Sequence, residues 1–170
     1  MNIFEAAAEY GTEDNFIEVC STSKITYPGS GVAALAASDA NIAAVKKRMT
    51  IQTIGYDKLN EKRHAAFFGD KAGIERHMLR HAEILRPKFD SVLSAFDKHL
   101  AGKGIAAWTK PNGGYFISLD VYPGCAKRTV QLCKEAGVTL TGAGATYPYG
   151  KDPEDKNIRI APTFPSRDEL

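Results

Sequence analysis

The stretch Cys20–Gly31, CSTSKITYPGSG, sets one lysine, Lys24, among hydroxyl-bearing and small residues directly after an apolar segment. That segment, NFIEVC (Asn15–Cys20), has the Phe, Ile and Val content of a short strand, and the small polar residues behind it close the strand. On the other side, the turn residues Pro28 and Gly29 lead into GVAALAAS (31–38), a continuous apolar run of strand length. Such a run is the pattern of a strand covered on both faces, as in an α/β layer structure. Lys24 therefore occupies a loop between two strands. A lysine in that setting is expected to be partly desolvated, which favours the neutral amine that attacks carbonyl carbons. The hydroxyls of Ser21, Thr22, Ser23 and Thr26 beside it suit a phosphate group. A lysine able to form an imine next to phosphate-binding serines is what pyridoxal phosphate chemistry requires.

Outward from this loop, residues 2–9 read as a helix. Ser38 and Asp39 offer an N-cap and a first-turn acid for a helix running to about Met49, whose basic KKR end complements the helix dipole. Segment 50–70 reads as mostly helical with interruptions at Gly55 and Gly69. Ile74, Met78, Leu85, Phe89, Val92, Phe96 and Leu100 then recur at three- and four-residue spacing, a long amphipathic helix ending at AGKG. Pro87 in its middle predicts a kink. From residue 105 the pattern changes to strands at IAAWT and GYFISLD around the turn KPNGG, a helix over 124–136 stopped by Gly137, and strands at VTLT and NIRIA. No internal repeat or low-complexity segment interrupts this order. The chain opens in a helical pattern without a preceding core and ends at PSRDEL, which reads as the first turn of a helix. Both ends are thus expected to be cuts.

Composition narrows the function classes. With 44% hydrophobic and 25% charged residues over 170 positions, the chain has the make-up of a globular protein with room for a core. Its 22 basic and 20 acidic residues nearly cancel and form no long run of one sign, which argues against a nucleic-acid partner. No apolar stretch approaches the ~20 residues needed to span a bilayer, and the N-terminal MNIFEAAAEY is acidic where a signal peptide is basic. A cytoplasmic protein without membrane contact is expected. Cys20, Cys125 and Cys133 are too far apart for a C-x-x-C site and are read as buried or half-buried free thiols.

Three further motifs each have a simpler reading. His77 and His81 stand four apart on one helix, but HMLRH lacks the glutamate of H-E-x-x-H and no third ligand is evident, so no metal site is expected. TGAGATYPYGKD (Thr141–Asp152) ends in Gly-Lys, yet it lacks the four-residue spacer of a nucleotide-binding loop and has Asp152 where Ser or Thr should follow the lysine. A loop whose backbone closely approaches something remains open there. Arg159 lies between Ile158 and Ile160, so strand alternation turns it to the face opposite both isoleucines. It is either a solvated side chain or a guanidinium fork aimed at a carboxylate.

STSK (21–24), KPNGGYFISLD (110–120), AGVTLTGAGATYPYGKDP (136–153) and NIRIAPTFPS (157–166), in this order, resemble the C-terminal part of fold-type I pyridoxal-phosphate-dependent aminotransferases, closest to the divergent class Ic aspartate aminotransferase group. The resemblance implies an α/β fold: residues 1–70 a remnant of the cofactor-binding large-domain sheet, 71–101 the long kinked interdomain helix, and 102–170 a truncated α+β small domain. It implies that Lys24 holds pyridoxal 5'-phosphate as an imine and shuttles the proton. By the same resemblance Ser21 and Ser23 are the serines beside that lysine, Ser21 the better phosphate contact, and Arg159 clamps the substrate α-carboxylate. An amino acid, aspartate or another dicarboxylic one, and a 2-oxo acid are the implied substrates, and a homodimer the implied full-length assembly.

Two departures accompany the likeness. Many relatives carry a phosphate-neutralising arginine seven or eight residues beyond the lysine, where this chain has Gly31 and Val32. Phosphate charge would then fall to backbone N–H groups, hydroxyls or elements outside the chain. The family's pyridinium-pairing aspartate, ring-stacking aromatic and glycine-rich phosphate turn have no room in the 23 residues before Lys24, so the chain alone is expected to be inactive. Fold and cofactor do not dictate the bond broken, which leaves a lyase or decarboxylase, or a non-catalytic regulatory domain, as alternative readings.

Overall fold

The structure is a computed structural model that describes residues 2–27 and 29–170; Pro28 of the expected turn lies outside the described residues. The chain divides into two compact units, Met1–Arg80 and His81–Leu170, with the boundary inside one helix.

In the first unit, α1 (Ile3–Glu9) is capped by Asn2, whose side chain accepts from the Phe4 N–H. β1 (Ile17–Ser21) and β2 (Ala33–Ala37) pair antiparallel, with Ser21 opposite Ala33 and Ile17 opposite Ala37. The apolar run at β2 was expected to be covered on both faces, but Ala33, Ala34, Leu35 and Ala36 are exposed, as is all of β1. Among the described residues of this unit, none packs over the two strands closely enough to cover them. Ser38 caps α2 (Asp39–Gln52) as expected, its Oγ accepting from the Asn41 N–H. The helix runs past Met49, so Lys46, Lys47 and Arg48 lie before its last turn and do not face the helix terminus.

Asp57 caps α3 (Lys58–Phe68), and Gly69, in the left-handed region at φ 71°, ends it. Asp70 then starts α4 (Lys71–His99), accepting from the Gly73 N–H through both its carbonyl and its side chain. A Cβ at Gly73 would collide with the Phe68 carbonyl oxygen, so glycine allows the two helices to meet at this corner. α4 continues unbroken through Pro87, which has no N–H to offer the Glu83 carbonyl.

The second unit builds its own core. β3 (Ala106–Trp108), β4 (Ile117–Val121) and β5 (Asn157–Ile160) form an antiparallel sheet in that order, and α5 (Ala126–Glu135) packs beside it. Ile117, Leu119, Ile158 and Ile160 bury one face of the sheet with Ala126 and with Val92 of α4, flanked by Phe89, Phe96 and Trp108. Full burial of Ile117 and Ile158 contributes roughly 1.5–3 kcal/mol each. VTLT, expected as a strand, joins no ladder: the helix cap brings the Val138 N–H to the Cys133 carbonyl and the segment runs on as a loop. The terminal PSRDEL does form a helical turn, Arg167–Glu169, with a capping box between Ser166 and Glu169.

Candidate active site

Lys24 stands at the apex of a tied loop. Just beyond the β1–β2 ladder, the Thr22 N–H donates to the Val32 carbonyl and the Val32 N–H donates to Thr22 Oγ1, both at 2.8 Å. These two bonds close the neck. Within it, the N–H groups of Ile25 and Thr26 both donate to the Thr22 carbonyl at 2.8 Å, making a single helical turn with Lys24 inside. The backbone of Lys24 is thereby fixed while the residue is exposed. Within the first unit Lys24 is exposed, so the expected desolvation is not met there.

Ser21 and Ser23 are brought together beside it. Their hydroxyl oxygens lie 2.8 Å apart and the Ser23 N–H donates to Ser21 Oγ at 3.2 Å. The Ser23 N–H is spent on Ser21 Oγ, so what the pair offers a phosphate oxygen is its two adjacent hydroxyls. Gly31 forms the wall. A Cβ on it would sit 2.7 Å from Ser23 Oγ and 3.1 Å from the Ser23 backbone nitrogen, so a side chain at position 31 would displace Ser23. Glycine at this position keeps the Ser23 hydroxyl where it is, and the cradle fits an anion through hydroxyls.

Two residues that the sequence reading missed hold this loop from behind. Asn60 and His64 lie one turn apart on α3. The Asn60 side-chain amide donates to the Ser30 carbonyl at 2.7 Å, on the return limb of the loop. His64, 8% exposed, has Nδ1 2.9 Å from the Asn60 carbonyl and Nε2 2.9 Å from Thr26 Oγ1 and 3.5 Å from Thr22 Oγ1 on the outgoing limb. The i, i+4 pair in NEKRH was the available signal, but it acquires meaning only once α3 is known to pack behind the loop. Tyr27, Phe67, Phe68 and His77 complete an aromatic cluster around His64, with His77 edge-on to both phenylalanines. The described residues contain no group of three or more potential ligands placed to hold a metal. Of the thiols, Cys125 and Cys133 are half-buried, but Cys20 is exposed, since β1 is uncovered.

Arg159 belongs to the second unit. Its register partner on β4 is Ser118, and strand alternation places it with Phe116, Ser118, Asp120 and Asn157 on the face opposite Ile158 and Ile160. Buried Asn157 organises that face: its amide donates to Ser118 Oγ at 2.8 Å and Asp120 Oδ1 at 2.6 Å, and its own oxygen accepts from Thr146 Oγ1 at 2.6 Å. The Arg159 guanidinium lies 4.5 Å above the centre of the Phe116 ring, and its buried Nε has no hydrogen-bond partner among the described residues. A stacked guanidinium keeps its fork for a planar acceptor.

The glycine-rich loop packs on itself. Gly144, at φ 79°, approaches Gly150 so closely that a Cβ would lie 2.6 Å from the Gly150 carbonyl oxygen. Asp152 closes the loop by accepting N–H bonds from Glu154, Lys156 and Asn157 at 2.8–3.0 Å. Burial acts to raise its carboxyl, but these three N–H groups outweigh that and hold it below the ordinary range.

The sequence profile of the Aspartate amino-transferase family matches residues 1–170. An aspartate aminotransferase of Corynebacterium glutamicum is 48% identical over 160 residues, 94% of this chain and 37% of that protein. The crystal structure of an aspartate transaminase from the same organism superposes with a TM-score of 0.94 at 46% identity, covering 99% of this chain and 40% of that one. A more distant match is LysN, an α-aminoadipate aminotransferase of Thermus thermophilus solved with N-(5'-phosphopyridoxyl)-L-leucine. Its TM-score is 0.75 at 20% identity, over 98% of this chain and 41% of that one, and it shares the fold alone. The chain spans about two-fifths of the length of these proteins. No helix among the described residues is long and apolar enough to cross a membrane. With an α/β architecture that superposes on solved aminotransferases and a profile match over its whole length, the chain belongs to the aspartate aminotransferase family.

Proposed function

We propose that this chain is part of an aminotransferase that moves an amino group between an amino acid, aspartate or another dicarboxylic one, and a 2-oxo acid. The observation that carries the reading is the tied loop: a lysine with a fixed backbone and an exposed side chain beside two convergent serine hydroxyls. Bound pyridoxal 5'-phosphate would supply the carbonyl for imine exchange and an electron sink for the substrate α-carbon. Lys24 is the residue that holds it covalently, and its amine, once released, carries the proton at Nζ. Ser21 and Ser23 bind the phosphate through Oγ. Arg159, stacked on Phe116, orients the substrate by gripping its carboxylate with two parallel N–H bonds. A cytoplasmic homodimer belongs to the same reading and is supported by the resemblance alone. Inactivity of the 170-residue chain by itself is part of it too, supported by the uncovered strands beside Lys24.

The test is an assay of the full-length protein with aspartate in the presence and absence of a 2-oxo acid acceptor. Formation of the donor's oxo acid beyond one equivalent per enzyme only when the acceptor is present is expected. Sustained turnover without an acceptor would overturn the transfer reading.

A further inference from the structure

We infer that His64 is a positioning residue for Lys24, acting through the threonines on either side of it. The inference rests on the reading of Lys24 as the cofactor lysine. Thr22 and Thr26 stand two residues before and two residues after Lys24, and they carry the turn: the Thr22 carbonyl accepts both turn N–H bonds, and Thr26 Oγ1 lies 3.1 Å from Thr22 Oγ1. His64 Nε2 meets both hydroxyls from a buried position. Its orientation is fixed from the other end, since the Asn60 carbonyl can only accept and so requires the hydrogen on Nδ1. In the neutral ring Nε2 is then the acceptor for the Thr26 hydroxyl.

The arrangement is two-sided. Asn60 holds the return limb through the Ser30 carbonyl, and His64 holds the outgoing limb one helical turn further on. Tyr27 and Phe68 pack against the ring, which is 8% exposed. A leucine at position 64 fills much of the same volume but leaves the two hydroxyls to each other. The turn then loosens at Thr26, and Lys24 Nζ samples positions displaced from the reacting atoms. Displacements of about 1 Å cost on the order of a hundredfold in rate without weakening substrate binding.

The experiment uses the full-length protein and the variants H64L, H64Q and T26V. Three readouts are taken: kcat and KM for amino-group transfer, backbone hydrogen exchange at Ile25, Thr26 and Val32, and the attachment site of the cofactor after borohydride reduction. In H64L, kcat is expected to fall about 10- to 100-fold with KM changed less than about threefold. Exchange at Ile25 and Thr26 is expected to quicken at least about tenfold, with the cofactor still mapped to Lys24. H64Q, which keeps an acceptor in reach of Thr26, restores most of kcat and the slow exchange. T26V removes the other partner and reproduces the H64L pattern, so a folding failure of H64L leaves the test intact. Wild-type kcat and exchange in H64L or T26V would overturn the inference, as would equal losses in H64L and H64Q with unchanged exchange. Attachment of the cofactor elsewhere in the wild type would overturn the reading of Lys24 instead, and is seen separately from the exchange data.

Discussion

The two residues assigned to chemistry are held in opposite ways. Arg159 stands on a strand whose other face is a closed core, with Ile117 and Ile158 fully buried. Lys24 stands in a loop tied by hydrogen bonds to its own neck and to α3, beside strands whose Val19 is 72% exposed. In the first unit Ala7 is the one buried apolar residue among those described. The difference teaches that Arg159 is set by local packing, whereas Lys24 is set by directional bonds and has little apolar support within this chain.

Substitutions at matched places can break that comparison. Ile158→Ala should destabilise the second unit by about 2–5 kcal/mol, read by chemical denaturation of the 170-residue chain. Val19→Ala should change stability by less than about 0.5 kcal/mol, because Val19 is 72% exposed. Equal costs at the two positions would erase the contrast. Arg159→Lys removes the fork while leaving the core intact. In the full-length protein it should raise KM for the amino acid about 10- to 100-fold, with the lysine-bound cofactor unaffected. Unchanged KM would show that Arg159 is a solvated side chain.

Gly31→Ala sharpens the other half. The new methyl meets Ser23 Oγ and backbone, so a shift of Ser23 costing about 1–3 kcal/mol is expected. Weaker retention of pyridoxal 5'-phosphate with normal affinity for the amino acid would be the signature. The smallest effect belongs to Asp152. Its carboxyl is held below the ordinary value of about 3.9, so it adds stability above that pH and loses it as pH falls through the lowered folded value. Asp152→Asn should therefore lower the melting temperature of the second unit near neutrality, and the gap to wild type should close in strong acid. A gap that widens on acidification would contradict the N–H bonding of this loop.

Much of this was legible before any coordinates. The spacing of Ile74, Phe89, Val92 and Phe96 announced α4, Ser38 announced the start of α2, and the alternation around Arg159 placed it on the polar face of β5. Strand and helix periodicity report local geometry, so these readings needed no knowledge of neighbours. What covers β2 is not legible in its sequence, because an apolar run shows what a strand can bury, not what lies over it. VTLT has strand composition but finds no ladder partner, and composition cannot supply one. Asn60 and His64 stayed hidden for the same reason. Their function depends on α3 meeting a loop about 40 residues earlier in the chain, a contact with no trace in local pattern.

The reading of Lys24 underlies both the phosphate contact proposed for Ser21 and Ser23 and the role given to His64. Borohydride reduction of the full-length protein with its cofactor, followed by peptide mass mapping, tests it directly. A reduced pyridoxyl adduct on Lys24, lost in Lys24→Ala together with transfer activity, is the predicted result. An adduct on another lysine, or a Lys24→Ala variant that keeps wild-type turnover, would contradict the account.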